Sequence, residues 1–324
     1  MKDATVGEAI AIIGAGMAGF SAAKVLADHG HRATMFEKSR GIGGRMATRR
    51  VSDEIAFDHG GQYARVRSDG FAAFLDGLGD NASTWQPRAK DNTVATDKPL
   101  RVGAPGMNRL LEPLRDTVDL RLNTLVSSVA EEPDGVVLTT EDGIEHSFDH
   151  VICTVPVPQA RNLFAHDDAL IASMKVVQVD PCWSLMVAFE TPLDVPFDAW
   201  REVSVELGWV ARNTSKPSRE GLDCWIVHAR GEWSRDNLER SKEDVAPDLL
   251  ALFALAMGQE LPAIRSAHAH RWRYSQTIAP LGQPYLTSSA GRCLIGGDWA
   301  LGGRIEAAYG SGTEIGRAAV DMLS

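Results

Sequence analysis

The chain is short of cysteine, of positive charge and of long hydrophobic runs. Its four cysteines, Cys153, Cys182, Cys224 and Cys293, make no C-x-x-C pair. That excludes a thiol redox motif or zinc ribbon and leaves them as core thiols of a reducing compartment. Lysine and arginine total 33 against 43 acidic residues, a formal charge of −10, which argues against a nucleic acid or an anionic membrane as partner. The opening MKDATVGEA lacks an apolar signal core, and no apolar run reaches membrane-spanning length. A cytoplasmic protein is therefore expected. Repeats and low-complexity tracts are missing too. So are a Ser/His/Asp ordering, an H-E-x-x-H and any metal-ligand spacing, so no catalytic side chain and no metal is assigned. What remains is 324 residues, 44% hydrophobic and 23% charged, enough for two domains with ample core.

Against those absences stands one dense signal at the start. Ile10-Ala11-Ile12-Ile13 reads as a short buried strand, and Gly14-x-Gly16-x-x-Gly19 follows it directly. Met17 to His29 then repeats small and apolar residues at helical spacing and stops at Gly30. A second apolar run, Ala33 to Phe36, delivers Glu37. Glycines at this turn let backbone N–H groups approach a pyrophosphate at a helix start, where the dipole favours negative charge. An acid ending the second strand accepts hydrogen bonds from an adenosine ribose. The pattern predicts a dinucleotide site.

Two further glycine clusters select the dinucleotide. Arg40-Gly41-Ile42-Gly43-Gly44-Arg45 follows the acid, and FAD-binding oxidoreductases of the amine-oxidase type carry a similar R-x-G-G-R element there. Arg45 offers a guanidinium fork to a pyrophosphate; a glycine-rich surface loop with two solvated arginines is the plainer alternative. Near the other end, the strand Cys293 to Gly296 runs into Gly297-Asp298, then Gly302-Gly303-Arg304-Ile305-Glu306-Ala307-Ala308 and a small-residue helix to Leu323. Asp298 suits a ribityl hydroxyl, and the helix start at Glu306 suits a flavin pyrimidine edge; an ordinary strand–turn–helix is the alternative. Both ends together predict FAD. It is expected to be non-covalent, because no cysteine stands in the segment before Gly296 that amine oxidases use for a flavin link, and Cys293 lies inside the strand.

Between these ends the pattern changes twice. Phe71 to Leu78 reads as a helix, Gly79 to Pro99 as loop, Met107 to Leu114 as a helix, and Leu120 to Ala130 and Val136 to Thr140 as strands. His150 to Val155 reads as a buried parallel strand closed by Pro156 and Pro158. From about 170 to 285, strands such as Trp183 to Glu190 and Cys224 to Arg230 alternate with loops, with one helix from Lys242 to Met257. Six of the eight tryptophans fall between Trp183 and Trp272, marking a separate β-rich region. The expected architecture is α/β: a two-domain FAD-binding oxidoreductase. Its discontinuous Rossmann-like FAD domain takes residues 1–60, 106–169 and 286–324, and its β-rich substrate domain 61–105 and 170–285.

Pieces spread over the whole chain resemble the bacterial renalases, small FAD-dependent members of the amine-oxidase superfamily. They are GAGMAGFSAA, KSRGIGGRMATRR (38–50), FDHGGQY (57–63), RVGAPGMN (101–108), ARNTSKP (211–217), CWIVHA (224–229), AHRWRY (269–274) and GDWALGGRIEAAYGSG (297–312). The sequence departs from its relatives at His59-Gly60 and at Ala307-Ala308. The resemblance implies a cofactor cradle of Gly14, Gly16, Met17, Gly19, Glu37, Lys38, Arg45, Gly61, Val126, Gly297, Asp298, Glu306 and Ala307. It implies oxidation of 2- or 6-dihydro isomers of NAD(P) to NAD(P)+, with hydride passing to flavin and dioxygen becoming hydrogen peroxide. Amine oxidation on the same fold is the alternative. A dihydropyridine becomes aromatic on losing hydride and needs no base, so catalysis would rest on holding its donor carbon about 3–3.5 Å from the flavin nitrogen.

For the substrate side, the resemblance places Gln62 and Tyr63 near the flavin face, with a buried polar pair serving the fold as the alternative, and counts Gly103 among the substrate contacts. Arg101 and Arg212-Asn213 are contacts for phosphate or ribose, with solvated arginines the alternative. Trp225, His228 and Trp272 are candidates for the nicotinamide pocket, each with a core role as its alternative. On a regular strand Cys224, Ile226 and His228 share one face and Trp225, Val227 and Ala229 the other, so Trp225 and His228 should not both reach one site. Lys216, just before a proline, reads as a surface residue.

Overall fold

In a computed structural model, which describes residues 10–92, 94 and 99–323, the chain separates into two compact units. One takes Met1–Gly44, Leu111–Gln178 and Thr277–Ser324, the other Arg45–Leu110 and Val179–Gln276.

The first unit is built on a six-stranded sheet in the order Tyr285–Thr287, Cys293–Gly296, His150–Cys153, Ile10–Ile13, Ala33–Phe36, Val118–Arg121. The last five strands run parallel and the first is antiparallel to its neighbour. Ile10–Ile13 is buried throughout, as an apolar run at the middle of a parallel sheet should be. The helices Met17–Asp28 and Ile305–Met322 lie together because glycine removes side chains between them. A Cβ on Gly312 would run into the Ala18 main chain, and one on Gly316 would meet Val25 and the Ala22 main chain. These paired contacts make the helices parallel, and the later one starts about 9 Å before the earlier at 1.5 Å per residue. A three-stranded antiparallel meander, Val126–Glu132, Gly135–Thr140 and Glu145–Phe148, completes the unit. Phe36 sets its ring edge-on to Phe148 at 5.9 Å.

The second unit centres on a five-stranded sheet ordered Ala199–Arg201, Leu207–Arg212, Asp223–Ala229, Gln178–Phe189, Ile264–Ala279. Alternation divides its residues. Trp183, Leu185, Val187, Trp225 and Val227 pack on Val245, Leu249 and Phe253 of the helix Lys242–Met257. Met186, Ala188, Cys224 and Ile226 pack on Ile55 and Phe57. That second contact draws the hairpin Thr48–Ser52 and Ile55–Asp58 into this unit, so the boundary lies at Gly44 rather than near residue 60.

Several local expectations are corrected. Leu120 to Ala130 is two strands, parted at Asn123, whose φ of 53° breaks extended chain. Met107 to Leu114 is two 3-10 segments, Met107–Leu110 and Glu112–Thr117, the second with Pro113 in its first turn. The loop after Gly79 contains the strand Ala82–Trp85. Pro156 and Pro158 open the helix Val157–Leu163, where a missing N–H costs nothing, rather than merely closing the strand.

Candidate cofactor and substrate sites

In the first unit, backbone geometry dominates. Gly14 has a φ of 107°, and its carbonyl accepts a 3.1 Å hydrogen bond from the Thr154 hydroxyl. Gly19 must lack a side chain because a Cβ there would strike the Gly14 carbonyl. Gly16, by contrast, faces open space, and the helix it precedes has no side-chain cap. Glu37 is buried beside this turn, accepting from Ala15 N–H at 3.0 Å and Ser39 N–H at 2.8 Å. Each oxygen retains a lone pair for a ribose hydroxyl. Gly43 of the following glycine cluster is strapped to the turn through the Ala15 carbonyl at 2.9 Å. Lys38 is exposed, and Val126 is buried at the first position of the meander.

The C-terminal half of this unit repeats the strategy. Gly296 leaves room for Ile315 and Ser311, and Gly297 has a φ of 146°. The Ser311 hydroxyl accepts from Gly297 N–H at 2.9 Å and donates to the Pro284 carbonyl at 2.6 Å. Asp298 is buried and accepts from the Thr277 hydroxyl. The helix bearing Glu306 and Ala307 in its first turn also has no side-chain cap. Two uncapped helix starts in one direction, an open cradle at Gly16 and buried carboxylates at Glu37 and Asp298 fit an elongated ligand with a pyrophosphate and hydroxyl groups. Residues and group agree.

In the second unit, side chains dominate. Asp58 is fully buried. One oxygen accepts from the Thr48 hydroxyl at 2.7 Å and Met107 N–H at 2.9 Å. The other takes Lys216 Nζ at 3.2 Å and Arg219 Nη2 at 2.7 Å. Burial pushes this carboxyl up, but Lys216 and Arg219 outweigh it and hold it well below the usual carboxylate range. Lys216 also donates to Gln62 Oε1 at 3.1 Å and Asn213 Oδ1 at 3.2 Å. Burial lowers its ammonium to about 8 against the pull of Asp58. Its expected surface position is therefore overturned: Lys216 is 2% exposed. The proline after it does end a short 3-10 turn, but that turn is folded inward.

The other predicted residues divide. Gln62 donates to the Asp58 and Gly60 carbonyls, and Asn213 donates to the Ala56 carbonyl at 3.0 Å. Tyr63 accepts from Arg201 at 2.5 Å. Gly61 N–H is bonded to the Arg45 carbonyl at 2.7 Å, and Arg45 itself donates to Ser275 O at 3.0 Å. His228 Nε2 and Trp272 Nε1 converge on the His59 carbonyl at 3.2 and 2.9 Å. Trp225 belongs elsewhere. At 0% exposure it packs between Phe197 and Phe253, its indole N–H on Asp223, so it fills the sheet–helix core instead of lining a pocket. Arg101 is already paired with Asp76 at 2.7 Å, and Gly103 has no room for a Cβ against the Met107 carbonyl.

Sequence reasoning missed Asp58, Lys216 and Arg219. Asp58 and Lys216 stand inside quoted motifs, but their contact spans 158 residues and has no local signature. Among the described residues no group of His, Cys, Asp and Glu is placed to hold a metal ion, and no helix is long and apolar enough to cross a membrane.

Fold and cradle together define a flavoprotein of the two-unit oxidoreductase type. Residues 62–323 match the family described as flavin containing amine oxidoreductase, and 12–78 match an NAD(P)-binding Rossmann-like domain. The chain belongs to the flavin-containing amine oxidoreductase family, and its cofactor is FAD. The fold is shared with a putative protoporphyrinogen oxidase from Exiguobacterium sp. 255-15, at a TM-score of 0.78 and 12% identity over 98% of this chain and 99% of that one. It is shared also with a putrescine oxidase redesigned at its cofactor site, at a TM-score of 0.75 and 14% identity over 97% and 99%. Two curated proteins match over short stretches. L-amino acid oxidase Cdc18 of Crotalus durissus cumanensis is 54% identical over 47 residues, 14% of this chain and 9% of that protein. A decarboxylating 4-hydroxybenzoate brominase of Pseudoalteromonas luteoviolacea is 46% identical over 46 residues, again 14% and 9%. The chain thus matches about a tenth of the length of these relatives.

Proposed function

We propose that this flavoenzyme is a renalase-like oxidase of misreduced nicotinamide dinucleotides, the 2- and 6-dihydro isomers of NAD(P). The carrying observation is a convergence. HRWRY (270–274), WIVHA (225–229) and ARNTSKP (211–217), the motifs behind the renalase resemblance, direct Trp272, His228, Asn213 and Lys216 onto the segment Ala56–Gln62. When bound, FAD accepts a hydride and passes the electron pair to dioxygen. With one proton, each dihydro-dinucleotide yields NAD(P)+ and hydrogen peroxide.

The chain's own work in this reading is binding and alignment. Gly14, Gly16, Met17, Gly19, Glu37, Lys38, Arg45, Gly61, Val126, Gly297, Asp298, Glu306 and Ala307 hold FAD without a covalent bond, Cys293 being enclosed in its strand. All of these but Arg45 and Gly61 lie in the first unit, and the substrate set lies in the second. Gln62, Tyr63, Asn213, His228 and Trp272 orient the dihydropyridine. Denaturing the yellow protein and filtering it should release all flavin, and colour retained on the chain would overturn the non-covalent reading.

One observation favours oxidation of a small amine instead: Lys216, a buried ammonium lowered to about 8, can give up its proton just above neutrality and then act as a base. Anaerobic mixing with separated 2- and 6-dihydro-NAD and with a panel of amines decides between them. Flavin bleaching by a dihydro isomer alone, with a rate flat in pH between about 6 and 9, supports the proposal. Bleaching by an amine alone, with a rate rising through pH 8, replaces it.

A further inference from the structure

The second unit holds a cluster of rings and cations that the contacts above leave unused. On Ile264–Ala279, alternation puts His268, His270 and Trp272 on one face. His59 meets this face edge-on to His270 at 4.7 Å and tilted against Trp272 at 4.9 Å, while His270 and Trp272 are 4.3 Å apart. Two cations act on the same rings. Arg49 faces Phe57 across the hairpin, two residues before His59, and after burial it lowers His59, His268 and His270; Lys242, the first residue of its helix, adds to this at His268 and His270.

The balance of charge here is one-sided. Asp58 pulls the other way on His59, but it is already committed to Lys216 and Arg219. Among the described residues Arg49, which is half-buried, pairs with no carboxylate, and Lys242 reaches only Glu243, at 3.9 Å on an exposed surface. His59 is 6% exposed, and its Nδ1 is buried with no hydrogen-bond partner. A half-buried guanidinium, a partnerless buried imidazole nitrogen and two more imidazoles gathered without a free counter-charge are the donor set of an anion site.

We propose that Arg49, His59, His268 and His270, with Lys242 at the margin, bind the pyrophosphate of the dinucleotide substrate. This rests on the dihydro-NAD(P) reading, whose substrate carries that group. Arg49 supplies a bidentate fork to phosphate oxygens, and the imidazoles supply N–H donors. The histidines are held low, His270 at about 4, by burial, Arg49 and Lys242, so an incoming anion reverses part of that penalty and draws a proton with it. Affinity therefore strengthens as pH falls.

The test uses the FAD-loaded protein and ADP-ribose, which carries the pyrophosphate but no reducible ring, so binding is read without turnover. Calorimetry at pH 7 in two buffers of different ionisation enthalpy should show net proton uptake. The Kd should tighten at least threefold from pH 8 to 6. Arg49→Ala should weaken binding at least tenfold, and Arg49→Lys and His270→Gln less, with flavin content and thermal midpoint checked for each. ADP-ribose binding that is unchanged in both Arg49→Ala and His270→Gln, or that takes up no proton, overturns the proposal. If dihydro-NAD isomers fail to bleach the flavin while ADP-ribose still binds through Arg49, the subsite stands and the substrate reading falls.

Discussion

The two units meet charge in opposite ways. Around Gly14–Gly19 and Gly296–Gly297 the chain removes side chains, exposes main-chain N–H groups and leaves helix starts uncapped. Around Asp58 it collects charged side chains from distant segments and encloses all three, Asp58, Lys216 and Arg219. Partial charges fixed by a helix have no desolvation cost to recover, whereas a buried ion pair is stable only while every member is present. The first arrangement tolerates an empty ligand site; the second tolerates no missing partner.

Removing Asp58 tests that contrast most severely. Asp58→Ala leaves two enclosed cations without a counter-charge and should cost about 3–5 kcal/mol in urea unfolding. Adding Lys216→Met should return part of it, since one stranded cation disappears. A loss below about 1 kcal/mol would show that water reaches the cluster.

Glu37→Ala should spare the fold and act on the ligand. Losing a carboxylate that accepts charge-assisted bonds is expected to weaken FAD retention by about 1.5–3 kcal/mol, read by fluorescence of released flavin. Next comes Gly312→Ala, whose new methyl meets the Ala18 main chain. Overpacking should lower stability by about 1–3 kcal/mol, seen in the thermal midpoint.

The smallest effect is a slope. Lys216 sits at about 8 in the folded chain and near about 10.4 unfolded. Between those values the unfolded chain binds more protons, so this residue makes stability rise with pH. Urea midpoints at pH 7.5 and 9.5 should show that rise in the native protein and lose it in Lys216→Met.

The same contrast explains what could be read from residues alone. Ile10–Ile13, Met17–Asp28 and Ala33–Phe36 are legible because strand, turn and helix signals are local and adjacent. Lys242–Met257 is legible for the same reason, with Ser241 capping it and Gly258 in the left-handed conformation ending it. Lys216 was misplaced because its burial depends on Asp58 and Gln62, 158 and 154 residues away. Trp225 shows the converse: the strand face was right by alternation, but which face meets a helix is a tertiary fact.

The contact of Gly312 with Ala18 has a consequence for synthesis. The first helix emerges from the ribosome long before the surface it needs on its flank. The strand beside Ile10–Ile13 likewise waits for His150–Cys153, and that one for Cys293–Gly296. The nucleotide-binding unit cannot close until residues beyond 310 have left the ribosome, so its apolar sheet must be kept from other chains until then. Truncating the chain ahead of Ile305 should therefore leave this unit, rather than only its last helix, unable to hold FAD.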